Sequence, residues 1–235
     1  MTNPLLVANM LQQAARQGNV LPRQLAAAQM IDRAIAANQV MDSAMDAAAK
    51  TWRAETESKP AIILAVPWFP QTDNFTQPDR TCNSSACAMV LEFLRPGTLP
   101  TARGDDKYLQ EVLRRGDTTD HGVQTAALRH FGVQSEWRTN LDFADLENEL
   151  HAKRPVVIGI LHRGTLQNPT GGHMVVIRGM SSDGQIFYVN DPYGSLNDGY
   201  QGEVGNGRSA PYSREILTCR WTVDGKNTGW GRLFK

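Results

Sequence analysis

The chain has 235 residues, with 24 Lys plus Arg against 24 Asp plus Glu, so its net charge gives no case for a nucleic-acid partner. At 41% hydrophobic and 20% charged it has the composition of a globular protein, long enough for one domain and an appendage. Its apolar runs, such as residues 61–67, are too short to cross a bilayer, which excludes a membrane span, and its three cysteines set no disulfide framework.

Residues 1–58 are rich in Ala, Gln and Met. Ile31, Ala34, Met41, Met45, Ala48 and Trp52 recur at steps of three, four or seven, which predicts one face of a long helix from Arg23 to Glu55. A shorter helix is expected over Leu5–Gln17. This helical arm either packs on its own domain or serves as a docking or oligomerisation arm toward a protein partner. Gln, Arg and Asn interrupt its first part, so no signal-peptide core is present and a cytoplasmic location is expected.

From residue 59 to 235 the style changes, which marks a second domain. Pro60, Pro67 and Pro70 bracket an extended segment, and a polar loop then leads to a helix over Cys82–Leu94 that Pro96-Gly97 ends. Further helices are expected over Lys107–Arg115, Val123–Phe131 and Phe143–Ala152. A buried strand over Pro155–Leu161 follows, then a hairpin of Gly171–Gly179 and Gln185–Asp191 about the turn Ser181–Gly184. Gly194–Gly207 reads as a flap or surface loop, and Arg220–Val223 as a late strand. Helices first and strands later predict an α+β domain with the Cys82 helix packed on an antiparallel sheet.

A thiol at a helix start meets free backbone N–H groups that favour thiolate, and a nearby imidazole would lower its pKa further. Cys82 has that position, whereas Cys87 lies about 140° around the helix within the apolar run and reads as structural. Counting the hairpin residues about its turn brings His173 opposite positions 191–192, so Asp191 or Asn190 becomes its neighbour. A carboxylate there would hold the imidazole in one tautomer. For the oxyanion, the Cys82 N–H needs a second donor. Gln71, at the end of a rigid extended segment, is favoured over Gln77 in the loop.

The remaining polar groups point to no metal and no cofactor. The five histidines lack zinc-ligand spacing. Asp105-Asp106 and Asp117–Asp120 lack the ligand period of a calcium loop and read as helix caps. Trp68 is the tryptophan expected to border the cleft.

Val66–Gln71, Cys82–Leu94, Gly172–Ile177 and Tyr188–Gly194 together resemble the peptidase C39-like domain, over residues 62–223. The resemblance implies a papain-like cysteine peptidase fold, with Gln71, Cys82, His173 and Asp191 as oxyanion donor, nucleophile, base and orienter. It also departs from that pattern: Asn83-Ser84 stands where the family has Gly-Pro, and the loop before Cys82 is long. The segments 116–120 and 212–214 resemble phage-associated relatives, which include cell-wall hydrolases and virion components. The leading expectation is therefore a cysteine hydrolase that cleaves a peptide or amide bond through a thioester, with peptidoglycan stem peptides as first substrate. The alternatives are a catalytically silent scaffold in virion assembly, then virion-associated, and an acyltransferase using the same site.

Overall fold

The computed structural model describes residues 60–99 and 101–235; the expectations for residues 1–58 lie outside them. Its elements are β1 (Ile62–Ile63), α1 (Cys82–Leu94), α2 (Gly104–Leu113), α3 (His121–His130), β2 (Ser135–Leu141), α4 (Phe143–His151), β3 (Val156–Gly164), β4 (Pro169–Met180), β5 (Ile186–Asn190), β6 (Ala210–Ser213), α5 (Arg214–Arg220) and β7 (Gly229–Phe234). The seven strands form one sheet in the order β2-β7-β3-β4-β5-β6, with β1 pairing on β4. All pairings are antiparallel. The domain is α+β, as expected.

Several helix ends lie where capping chemistry directs. Asp120 accepts from Gly122 N at 2.6 Å and Val123 N at 3.0 Å, which starts α3 two residues before the expected Val123. Asp142 and Asp145 form a capping box at the start of α4. The Glu92 carboxylate takes the N–H groups of Gly97 (2.6 Å) and Leu99 (2.5 Å), which turns the chain sharply off the end of α1. Asp105 and Asp106 occupy the first turn of α2, so that helix starts at Gly104 rather than Lys107.

α1 is the central helix. Ala86–Leu91 are fully buried, between the sheet strands β3 and β4 and the helices α2 and α3. Burying a Val, Leu or Met side chain in this way is worth about 1.5–3 kcal/mol each, so the helix that carries Cys82 is anchored by its whole middle section. Before it, residues 61–66 alternate outward and inward, with Ile62, Leu64 and Val66 on the core.

Three differences from the sequence reading stand out. Arg220–Val223 is not a strand: Ser213 caps a helical turn at Ile216 N (3.1 Å), and Trp221 N bonds Leu217 O at 2.7 Å. Burial of the Trp221 ring, with its indole N–H on Trp230 O at 2.9 Å, overrides the β propensity of Trp-Thr-Val. The late strand is β7, and β2 and β6 were also absent from the expectation. Residues 194–207 hold two short 3-10 turns, Leu196–Asp198 and Val204–Gly207, tied to the core by Asp191 N on Gly207 O at 2.9 Å. A Cβ on Gly207 would sit 2.2 Å from Asp191 O, so that close approach requires glycine.

The hairpin register also shifts. Val176 pairs with Asn190 but Gly179 pairs with Tyr188, because a bulge at Arg178 inserts one residue into β4. The Arg178 guanidinium is turned instead onto Leu64 O, with its Nε at 2.8 Å. Extending the 176–190 pairing places His173 level with Tyr193, beyond the end of β5.

Candidate active site

Two elements set the site. β3 and β4 pair Ile160 with His173, which fixes the imidazole in the middle of a ladder. α1 begins at Cys82, whose side chain is half-buried at the sheet surface. Burial alone would raise the Cys82 thiol. The hydrogen bond and charge of His173, helped by the N–H groups of Met174 and Asn83, outweigh it and hold the thiol below its ordinary range. The same pairing acts in reverse on His173, which is 4% exposed. Burial would depress it, but the Asp191 carboxylate and Cys82 raise it to about 10. The lowered thiol and the raised imidazole each favour the charged form of the other.

His173 Nε2 donates to Asp191 Oδ1 at 2.7 Å, which leaves Nδ1 for the sulfur. Asp191 is fully buried just past β5 and reaches His173 because the chain turns there, not by ladder pairing. Tyr193 N donates to Oδ1 at 2.9 Å, closing that turn. Oδ2 accepts from the hydroxyls of Tyr212 at 2.8 Å and Tyr200 at 3.0 Å. Burial and the Asp191 charge push both phenols well above their usual range, so they remain donors. Tyr212 also accepts from Leu196 N at 2.8 Å, which fixes its hydroxyl. The sequence reading missed both tyrosines; only the β5–β6 register, which pairs Tyr212 with Phe187, brings Tyr212 under Asp191.

Asn190, the other candidate beside His173, has a different task. Its amide donates to Val66 O (3.2 Å) and Pro67 O (3.0 Å), and its Oδ1 accepts from Ser209 N at 3.0 Å. Trp68 Nε1 donates to Asp191 O at 2.9 Å, and Gln71 N to Pro192 O at 2.8 Å. The extended segment is thus clasped along residues 190–192, which seats Gln71 beside the turn that follows Asp191. Gln71 is 2% exposed. Its Nε2 donates one hydrogen to Pro78 O at 2.6 Å, and the amide has a second to give. Gln77 is exposed, sits at φ 50°, and accepts from Arg80 Nη1 at 3.1 Å. The structure therefore gathers Cys82, His173 and Asp191, keeps Gln71 buried at the adjoining turn and sends Gln77 to solvent.

Neighbouring groups complete the electrostatics. His162 lies beside His173, ring centroids 5.1 Å apart and planes tilted by 51°, and donates Nδ1–H to Gly171 O at 2.7 Å. Burial and the His173 charge lower its pKa, and its Nε2 accepts from Arg163 Nε at 3.2 Å, as only a neutral ring can. Cys87 is buried, donates to Asn83 Oδ1 at 3.7 Å and has its thiol raised by burial. Among the described residues no three His, Cys, Asp or Glu side chains cluster in a way that would hold a metal ion. No described helix is long and apolar enough to cross a membrane.

Comparison with known proteins places the chain in a family. The Peptidase_C39 like family matches residues 63–224, so the chain belongs to that family of cysteine peptidases. No curated protein matches the chain. The fold is similar to that of a protein from Bacillus anthracis described as a C39-like peptidase, with a TM-score of 0.50 and 16% identity over 75% of this chain and 98% of that one. A double glycine motif protease from an AMS/PCAT transporter, in complex with its leader peptide, gives a TM-score of 0.45 and 18% identity over 75% of this chain and 98% of that one.

Proposed function

We propose that this C39-like chain is an active peptidase in which Cys82 is the nucleophile, His173 the acid–base, Asp191 the orienting carboxylate and Gln71 an oxyanion donor. The observation that carries the reading is the buried pair of His173 Nε2 and Asp191 Oδ1 at 2.7 Å, with His173 close enough to Cys82 to lower its thiol. The Cys82 thiolate attacks a peptide carbonyl, and the tetrahedral oxyanion is held by the Cys82 N–H and the free hydrogen of the Gln71 amide. The His173 imidazolium passes its proton to the leaving amine as the C–N bond breaks, leaving a thioester. Neutral His173 then takes a proton from water, whose oxygen attacks the thioester. The acid product departs and Cys82 returns to its thiolate beside the imidazolium.

The first substrate to test is a cell-wall stem peptide, a choice supported by the resemblance of segments 116–120 and 212–214 to phage-associated relatives. The decisive experiment follows alkylation of Cys82 by iodoacetamide across pH, together with hydrolysis. Wild type should react well below the free-thiol pKa of about 8.5, and His173→Gln should move the profile up toward that value. Cys82→Ala should abolish both labelling at that position and hydrolysis. An alkylation profile centred near the free value in wild type, with hydrolysis absent, would favour the silent scaffold instead. Only amine trapping of the acyl group would reassign it as an acyltransferase.

A further inference from the structure

Beside His173 the sheet surface opens into a cleft of ≈ 460 Å³ whose lining includes His162, Arg163, Tyr193, Tyr200 and Arg220. We propose that this cleft is a carboxylate-binding subsite that selects peptides with an acidic side chain or a free chain end near the scissile bond. The inference rests on the peptidase reading above for its biological meaning, but its binding chemistry stands on the cleft itself.

Arg220 is 8% exposed, and its guanidinium is fixed by backbone carbonyls: Leu161 O at 2.6 Å, Arg163 O at 3.0 Å and Gly164 O at 3.1 Å. Carbonyl dipoles orient a cation without neutralising it, and a guanidinium has five N–H groups to satisfy. Arg163 lies at the rim, with its Nε on His162 Nε2 at 3.2 Å. Among the described residues no carboxylate lies within 4.0 Å of either guanidinium. No Asp or Glu lines the cleft. Two cations in one partly enclosed space, one of them already held still, form a preorganised fork for a carboxylate.

Position makes the cleft relevant to substrate. The rings of His162, Tyr200 and Tyr193 lie 5.1, 5.9 and 6.2 Å from that of His173. An extended peptide advances about 3.3 Å per residue, so a group one or two residues from the reacting carbonyl reaches the cleft.

The test compares N-bromoacetyl-Glu-NH2 with N-bromoacetyl-Gln-NH2, in which the Cys82 thiolate displaces bromide and only the distal group differs. Alkylation is followed by intact mass, with N-acetylcysteine as the reference thiol. The Glu reagent should react about tenfold faster than the Gln reagent, after correction by the reference, as one charge-assisted hydrogen bond would give. Arg163→Gln and Arg220→Gln should each collapse that ratio. The first keeps the test sound where loss of Arg220 would loosen the end of β3. N-bromoacetyl-Gln-OH, with its carboxylate on the chain end, separates a terminal carboxylate from a side chain; a preference for either supports the subsite. In parallel, N-acetyl-Glu-NH2 and N-acetyl-Gln-NH2 are titrated into Cys82→Ala by NMR. Selective binding there with a sluggish wild-type thiol would overturn the peptidase reading and keep the subsite. Equal rates and equal binding would overturn the subsite and leave the thiolate intact.

Discussion

Asp191 and Asp105 are both buried carboxylates in the same domain, at 0% and 1% exposure, yet their surroundings differ in kind. Asp191 receives four donors, from His173, Tyr193, Tyr200 and Tyr212. Asp105 receives one side-chain donor, Ser85 Oγ at 2.6 Å, while its Oδ1 has no partner. Desolvation therefore dominates at Asp105, the nearby Asp73 and Asp106 add repulsion, and its pKa rises to about 6. A buried carboxylate with few donors aimed at it has little to offset the cost of desolvating its charge. The elements that serve Asp191 are far apart in sequence and meet only in the folded sheet, whereas Asp105 sits at a helix start among acids of its own region.

Removing the charge where donors are many should have the largest effect. Asp191→Asn places an amide where His173 needs an acceptor and where two phenols already donate. Hydrolysis should fall by about three to four orders of magnitude through loss of the right imidazole tautomer. Stability should fall by about 3 kcal/mol, the cost of breaking a buried pair. Turnover of a peptide substrate and urea unfolding measure the two separately. A variant with near wild-type turnover would remove Asp191 from the orienting role.

The contrast also marks how far sequence could reach. The Cys82 helix was legible because an apolar run over Ala86–Leu94, broken only at Glu92, stops just before Pro96-Gly97, and the His173 hairpin because two strand-like runs flank a Ser-Asp-Gly turn. Asp191 was found beside His173 although the counted register differs from the real one. The bulge at Arg178 carries no local signature, since it is fixed by the contact with Leu64 O. β2 is half-exposed and β7 is interrupted by glycines, so neither shows an alternation clean enough to read. Tyr200 and Tyr212 were out of reach because knowing their partner requires the path of residues 194–213 across β5. The isolated donor count at Asp105 is likewise a product of packing, so its carboxylate read only as a solvated cap.

The next prediction concerns pH. The Asp105 carboxyl is raised in the folded state, so the folded protein binds a proton there that the unfolded chain, with an ordinary aspartate, releases sooner. The stability from that proton is fully present below the unfolded pKa and is lost as pH rises through about 6. Asp105→Asn removes this titration. Stability measured at pH 4 and at pH 7 should differ between the two proteins by about 2 kcal/mol in the change from one pH to the other, with wild type losing more on the way up. Parallel curves for the two proteins would show that Asp105 is already ionised at pH 4.

The smallest effect, and the sharpest on the comparison, comes from thinning the donors at Asp191 one at a time. Tyr212→Phe deletes the hydroxyl that bonds Oδ2 at 2.8 Å and leaves Leu196 N without its acceptor. Tyr200→Phe deletes only the 3.0 Å bond from a less buried ring. Each lost hydrogen bond should cost about 1–2 kcal/mol in urea unfolding, with Tyr212 the costlier. Because the phenols compete with His173 for the same carboxylate, thinning them should concentrate its charge on the imidazole. The Cys82 alkylation profile should then shift to lower pH in the double variant, while loss of Asp191 itself shifts it upward. Opposite directions for the two changes are what a shared acceptor requires. A shift upward in the double variant would mean that the tyrosines act by placing Asp191 rather than by sharing it.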